Sequence, residues 1–564
     1  VNQLRSRIAA ALHRLADFLE QRPRLVCLIL TVLYLSAAFQ ASRIKPLWHD
    51  ELYTLWIASA PTLHDTFALS RAWDLNPPLL YLLTRLSYHL FGVNTLSTRL
   101  PEILAFLAAL LCLFAFVRRR MGTLFALLAA TVLLESDTFL LAVEARPYAL
   151  MFSSFTLAQL AWQTAATPAP SSAAPPHPLR RPSALILLAA AVLGLLMSHI
   201  FAVAILASLL FAELLRARIR RRLDWPVLIA LLLPIPSVVV YKPMLAVHGV
   251  AIYPAAFQPT LAGIVAFYIE SFDHQLLALI LTALAILLLL GRRQLHPDSP
   301  PSTPRWFFTP SEWSLFACLT TLPLLLMVKL MHSHAAFFPR YGAIITFAVA
   351  PITSALLAHF TLNPQPPGSG NPSTPDTTPA LIAAVIFLLM SGALKAIPTE
   401  LAHRTLLPTI ANSEPPIPPC QACRIASALN PSLPLVDSSG VTFIEMNYRV
   451  PPATLDHIFY LTDSAASASI AHASLFDHMA WLVGDFHFHG HSQPYSDFLL
   501  QHPHFFVYGR LHFPEDWLLL KLQQDGASVR FVTSIQDCYR DTELYEVRIP
   551  APTPAPSTVN PHIH

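Results

Sequence analysis

The sequence predicts an α-helical polytopic membrane protein, a core of about eleven spans, followed by a soluble α/β domain. Three observations predict this. Of the 564 residues, 54% are hydrophobic and only 12% charged, about half the charged share of an ordinary soluble chain. Apolar runs of 16 to 20 residues recur along the first two thirds of the chain, long enough to cross hydrocarbon as helices. The last ~150 residues lose that pattern and alternate short β-rich runs with helical ones. The net charge of +3 and the lack of a basic, aromatic-laced patch give no sign of a nucleic-acid partner.

The elements follow in order. In residues 1–22, Ile8, Leu12, Leu15 and Leu19 recur at helical spacing beside Arg5, Arg7 and Arg14. That pattern suits a helix lying on the cytoplasmic membrane surface. Arg22 and Arg24 precede the first apolar run, Leu25 to Ala41, so the positive-inside rule puts the N-terminus in the cytoplasm. The next positive cluster, Arg118-Arg119-Arg120, follows the run Ile103 to Val117. Residues 42–100 are then one extracytoplasmic loop. Within it, Leu79, Leu82, Leu83, Leu86 and Leu90 form one stripe, with Tyr81, Thr84, Arg85 and Tyr88 opposite. Such a helix lies in the interface; as a short crossing helix it would reverse the sidedness of everything downstream.

From there the runs 124–143, 147–165, 184–197, 201–215, 227–241, 276–290, 315–330, 341–360 and 381–396 alternate without conflict with the charges. The Pro-rich stretches 167–182 and 362–379 read as cytoplasmic linkers. The core therefore spans 23–398, with an extracytoplasmic α/β domain over 399–550 and a disordered tail over 551–564. Strands are expected at Leu433–Val436, His457–Leu461, Phe505–Gly509, Ser528–Val532 and Leu544–Ile549, and helices at Ser474–Val483 and Asp516–Gln523. No Gly-rich phosphate loop follows any of these strands, which argues against a nucleotide site. Cys27, Cys112 and Cys318 lie in apolar runs, where a thiol behaves as a small hydrophobe. Cys420, Cys423 and Cys538 permit one disulfide, and the spacing does not choose the pair. His487, His489 and His491 with Asp485 read as a solvated loop, with no metal assigned.

The polar residues beside the core gather on the outer side. The first loop holds His49, Asp50, Glu51, Asp65, Arg71, Asp74, Asn76 and Arg85, and the next outer turn holds Glu135, Asp137, Glu144, Arg146 and Tyr148. Later outer loops add Lys242, Tyr253, Glu270, Asp273, His274, His332, His334, Arg340 and Tyr341. The spans are nearly free of charge, whereas a transporter needs ionisable groups near the midplane. An enzyme at the outer face has no nucleotide sugars, so its activated donor must be held by the membrane. A polyprenyl-phosphate sugar meets that need. A carboxylate would take the acceptor's hydroxyl proton, and cations would stabilise the departing phosphate. Asp50 suits the first task, and Arg146, Lys242 and Arg340 the second.

Trp48-His49-Asp50-Glu51, Asn76-Pro77-Pro78-Leu79-Leu80-Tyr81, Phe91-Gly92 with Arg99-Leu100-Pro101, Glu144-Ala145-Arg146-Pro147-Tyr148, and Pro339-Arg340-Tyr341 together resemble segments of the GT-C glycosyltransferases. Within these the chain is most similar to the family of protein O-mannosyltransferases, ArnT-type aminoarabinose transferases and Rgt-type galacturonosyltransferases, over residues 25–360. The resemblance implies a membrane glycosyltransferase of the bacterial inner membrane. It would move a sugar from a polyprenyl-phosphate donor to a hydroxyl on a lipid, glycan or protein. It implies Asp50 as general base beside Glu51, with Glu144 as the second acid and Asp137 in reserve. A divalent cation could sit at the outer carboxylates. Tyr341 joins the donor-phosphate residues, and His49, Asn76, Tyr81 and Arg85 form the substrate loop. The alternative is a non-enzymatic lipid-linked oligosaccharide transporter or envelope-glycan assembly protein.

Overall fold

The computed structural model describes residues 2–166, 180–248, 257–271, 307–333, 335–361, 433–473, 478–511, 516–536 and 541–550. The expected spans 276–290 and 381–396, the cysteines 420, 423 and 538, the linker 362–379 and the tail lie outside the described residues. The chain divides into two compact units: a helical one formed by 1–249, 259–333 and 337–410, and a second made chiefly of 411–564.

The helical unit opens with α1 (Asn2–Gln21) and α2 (Pro23–Ile44). On α2, Val26, Leu30, Tyr34 and Ala38 are buried at fourfold spacing, while Leu28, Ile29, Val32 and Leu33 are exposed. A helix apolar all round with one face packed has hydrocarbon on the other. The first loop folds into α3 (His49–Ser59), α4 (Leu63–Trp73) and α5 (Leu79–Phe91). The 13 residues of α5 span roughly 20 Å, short of a bilayer core. Its Tyr81, Thr84 and Tyr88 face is buried, and Leu86 and Leu90 are exposed. The polar stripe thus looks into the protein and the leucine stripe away from it.

The core is built on α6 (Thr95–Met121), α7 (Thr123–Glu135), α9 (Tyr148–Ala166) and α10 (Arg180–Ser198). Helix α6 packs on α7 and α9, and α9 on α10. Phe106, Leu113, Phe116, Phe152, Phe155 and Leu195 are fully enclosed in one cluster. Then come α11 (Ala202–Arg220), α12 (Trp225–Leu232), a 3₁₀ turn (Ile235–Val240), α13 (Tyr241–His248), α14 (Leu261–Glu270), α15 (Pro310–Ser333), a second 3₁₀ turn (Pro339–Ile345) and α16 (Thr346–Thr361).

Among the described residues six stretches are long and apolar enough to cross a membrane: 23–44, 95–121, 181–198, 225–245, 310–333 and 339–358. Three expected spans within the described residues, 124–143, 147–165 and 201–215, are not among these six, and 227–241 is irregular within 225–245. The run 124–143 breaks after α7, because Ser136 and Thr138 hydroxyls both return to the Leu133 carbonyl; the short α8 (Thr138–Ala142) restarts the chain. The run 227–241 changes to 3₁₀ geometry at Pro234 and Pro236, which cannot donate to an α-helical ladder.

Polar groups gather at the two ends of this unit. At one, Glu20 accepts from the Thr123 and Leu124 amides at 2.8 and 3.1 Å, capping α7 with a charge its dipole favours. Arg120 pairs with Glu312 at 2.8 Å, and Arg216 with Glu213 at 2.6 Å and Asp224 at 3.0 Å. The turn admitting Glu20 requires glycine. Gly122 has φ +94°, and a Cβ there would lie 2.6 Å from Glu20 Oε1. Gly122→Ala is expected to lower stability by about 1–2 kcal/mol, read as the unfolding midpoint in detergent. The other end carries the candidate site.

The second unit holds a six-stranded mixed sheet in the order β3-β2-β1-β4-β6-β5. Strands β1 (Leu435–Asp437), β2 (Ile458–Thr462), β3 (His491–Pro494) and β4 (His504–Gly509) are parallel; β5 (Ser528–Gln536) and β6 (Asp541–Arg548) close it antiparallel. The α/β expectation holds. Only β3 was not predicted, since His491-Ser-Gln-Pro494 has neither alternation nor β-branched residues. Asp516 is buried and accepts from Ser438 Oγ at 2.6 Å and the Arg510 amide at 3.0 Å. Burial outweighs these bonds and raises its carboxyl to about 6. The folded state therefore binds a proton that the unfolded chain, near 3.9, releases. Its contribution to stability is fullest below about pH 4 and declines as pH rises towards 6. Hydrogen exchange of the β1 and β4 amides should quicken over that interval, and Asp516→Asn should flatten the response.

Candidate active site at the carboxylate end of the bundle

Two neighbouring carboxylates in the first turn of α3 point to different surroundings. Glu51 is fully buried. Arg99, at the start of α6, meets it in a fork, Nε to Oε1 at 2.7 Å and Nη2 to Oε2 at 2.6 Å. The Ala145 amide donates to Oε1 at 2.8 Å and the Trp48 amide to Oε2 at 3.3 Å. Arg99 also donates to the carbonyls of Ser42, Lys45 and Pro46. Glu51 thus ties α2, α3, α6 and the turn before α9 together, and its lone pairs are occupied.

Asp50 faces the open side, with 17% of its side chain accessible. Its Oδ2 lies 2.9 Å from Arg340 Nη2, and its Oδ1 lies 3.5 Å from His49 Nε2. Burial would raise its pKa, but Arg340, Arg146 and His49 outweigh burial and hold it at about 2. Arg340 reaches the site from the 3₁₀ turn Pro339–Ile345, its guanidinium 5.0 Å from the Trp48 ring and 4.8 Å from the Phe338 ring. Such faces hold a guanidinium without using its N–H groups.

Arg146 donates to the Asp50 carbonyl at 3.2 Å and to Asp74 Oδ2 at 2.6 Å. Asp74, the residue that ends α4, also accepts from Tyr81 Oη at 2.6 Å and Asn76 Nδ2 at 2.8 Å. Glu144 is bound to Lys45 at the end of α2; burial raises its carboxyl and Lys45 opposes the shift. The site at rest is therefore four matched pairs: Lys45–Glu144, Arg99–Glu51, Arg146–Asp74 and Arg340–Asp50. Among them Trp48 Nε1, Arg146 Nε and Arg340 Nε are buried with no partner. Buried N–H groups without acceptors are rare and costly. Asp50 Oδ2, ion-paired to Arg340, is likewise buried without a hydrogen bond, so three N–H groups and one carboxylate oxygen stand unsatisfied in this cluster.

The structure brings together Asp50, His49, Arg146 and Arg340, with Asn76 and Tyr81 buried beneath them as supports of Asp74. Arg85 stands apart: it donates to the carbonyls of Ala58, Ala60 and Pro61, clamping α5 to the turn after α3. Lys242 is exposed at the start of α13, and among the described residues no hydrogen bond or ion pair joins it to these groups. Tyr341 packs its ring on Phe201 at 4.9 Å. In the sequence Asp74 is only one of several first-loop polar residues with no role assigned, and Lys45 is not among the candidates. Asp74 has no motif of its own, and Lys45 precedes a proline at a helix end like any snorkelling cation.

Comparison with known proteins bears on this arrangement. The chain is similar to ArnT from Cupriavidus metallidurans bound to undecaprenyl phosphate, with 15% identity, TM-score 0.51, and 92% of this chain and 97% of that chain covered. The fold is that of ArnT. The apo form of the same protein matches over the same shares with 15% identity and TM-score 0.49. Residues 75–241 match the family described as dolichyl-phosphate-mannose-protein mannosyltransferase. That segment of the ArnT-like fold contains Asn76, Tyr81, Arg99, Glu144 and Arg146, and leaves Asp50 and Arg340 outside it. No curated protein sequence matches the chain. The likeness to that structure is one of fold, and the family match is confined to residues 75–241.

Proposed function

We propose that the chain is a membrane glycosyltransferase that moves a sugar from a polyprenyl-phosphate donor to a hydroxyl on a lipid, glycan or protein acceptor. The observation that carries this is Asp50 lying between Arg340 and Arg146, with partnerless N–H groups of both guanidiniums buried beside it. The matched mannosyltransferase family segment supports the same reading.

In this mechanism the donor's phosphate lies against Arg340, Arg146 and Trp48 Nε1. The acceptor oxygen forms a bond to the anomeric carbon from the opposite face. Its proton passes to Asp50, and the bond from the anomeric carbon to the phosphate oxygen breaks with its electron pair on that oxygen. A single displacement of this kind inverts configuration. Once Asp50 is protonated, Arg340 loses its counter-charge and is free to pair with the departing phosphate. Glu51 positions the loop and Glu144 holds Lys45. Each of the four carboxylates in the site faces Lys or Arg, so the proposed mechanism uses no divalent cation.

The Arg-rich end formed by Arg118 to Arg120, Arg181 and Arg216 supports a cytoplasmic placement for that end. The site would then open outside, in a plasma membrane of bacterial type. The test is consumption of polyprenyl-phosphate sugars by membranes carrying the full chain. Release of polyprenyl phosphate with sugar appearing on an acceptor is the expected result. Movement of intact lipid-linked sugar without cleavage would replace this reading with that of a transporter. Arg340→Gln should raise the donor KM and lower kcat together, with kcat down about tenfold to a hundredfold.

A further inference from the structure

His199 lies in the turn between α10 and α11 and is 4% exposed. Its ring stands 5.2 Å from Tyr148 and 6.5 Å from Tyr341, the residues that follow Arg146-Pro147 and Arg340. Phe201 closes a third side at 5.1 Å. The Phe201 amide donates to Nδ1 at 3.1 Å. A nitrogen that accepts an N–H carries no proton, so the neutral ring bears its hydrogen on Nε2. Burial, and then the charges of Arg146 and Arg340, hold the imidazole far below its usual range, at about 3, against the pull of Asp74. The ring is thus a fixed neutral donor. Among the described residues no hydrogen bond is made by its Nε2–H, while the buried N–H groups left without a partner in the neighbouring pairs are those of Trp48, Arg146 and Arg340.

We propose that His199 donates Nε2–H to a phosphate oxygen of the lipid-linked donor, alongside Arg340 and Arg146. The proposal rests on the donor reading above and adds a residue to it. A neutral donor has a distinct value at this place. The cations are already matched by carboxylates, and a further N–H receives charge developing on the phosphate without needing a counter-ion of its own. In the transfer step the bond from the anomeric carbon to the phosphate oxygen breaks with its electron pair on oxygen, while the acceptor's proton goes to Asp50. His199 keeps its own proton throughout.

The test uses the full chain in detergent, with farnesyl phosphate as binding probe and farnesol as its uncharged control. His199→Phe keeps the ring packing and removes the donor. His199→Asn keeps a group near Nδ1 and removes the donor. His199→Gln returns an N–H near the Nε2 position. Phe and Asn should each weaken farnesyl phosphate about tenfold or more, the scale of a hydrogen bond to a charged group, and Gln should recover most of it. Farnesol binding should not change in any variant. In sugar transfer, kcat of the Phe and Asn variants should fall about 10²-fold, as on loss of one preorganised donor. The proposal is overturned if Phe and Asn bind the phosphate as wild type does. It is equally overturned if Gln is as weak as they are, or if farnesol weakens in parallel. Should His199→Phe not fold, the Asn and Gln pair still decides. A graded phosphate response with no sugar transfer by wild type would retain His199 as a phosphate ligand and remove the glycosyl-transfer reading. Wild type that does not bind farnesyl phosphate would remove both.

Discussion

Asp50→Asn should lower sugar transfer by about 10²–10⁴-fold, the range for loss of a positioned general base, while leaving yield and unfolding midpoint near wild type. The carboxylate is partly accessible, and its partner Arg340 is 22% accessible with aromatic faces beside it. Asp50 Oδ2 and Arg340 Nε are buried, but both side chains keep part of their surface accessible, and the amide oxygen of asparagine can still accept from Arg340. Asparagine has the same shape but accepts no proton, so the loss falls on chemistry. The folded pKa of about 2 also has a sign that can be checked. It lies below the unfolded value near 3.9, so any stability from this group is full above about pH 4 and is lost as pH falls towards 2. No acid limb in the rate should arise from Asp50 in the neutral range. Full activity in purified Asp50→Asn would remove it as the base.

The adjacent residue should behave in the opposite way. Glu51→Ala or Arg99→Ala is expected to cost about 3–5 kcal/mol, because either leaves an uncompensated charge in a site with both side chains fully enclosed. The readout is loss of folded, monodisperse protein rather than a slow enzyme. Pairing Glu51→Gln with Arg99→Met removes both charges and should recover much of the yield, as apolar replacement of a buried pair often does. A stable, well-folded Glu51→Ala that transfers no sugar would instead make Glu51 a participant in the chemistry.

That contrast marks where the sequence was legible. Asp50-Glu51 at the end of the first apolar run was visible as an acidic pair at a helix start. Which of the two faces the substrate depends on Arg99, forty-eight residues away, and a spacing of that size carries no periodic signal. The apolar runs that became α2, α6, α10 and α15 were read closely because length and composition settle them. The break at Ser136 was not, since two hydroxyls competing for one carbonyl look in sequence like ordinary polar residues at a span's end. Arg85 reads as one more outer-face cation until the carbonyls it clamps are in view. His199 was hidden for a simpler reason: a lone histidine in a short turn has no pattern around it.

The matching of four cations to four carboxylates has an electrical consequence. In the proposed reaction the proton taken from the acceptor and the charge left on the phosphate would both stay inside that cluster during the transfer step. Turnover then displaces almost no charge along the transmembrane field, whose action on one elementary charge is about 2.3 kcal/mol per 100 mV only when the full thickness is crossed. In the proposed reaction the donor's own phosphate bond would then supply the driving force. Proteoliposomes held at opposite potentials should transfer sugar at the same rate, so such an enzyme would keep working in a cell whose membrane has been depolarised.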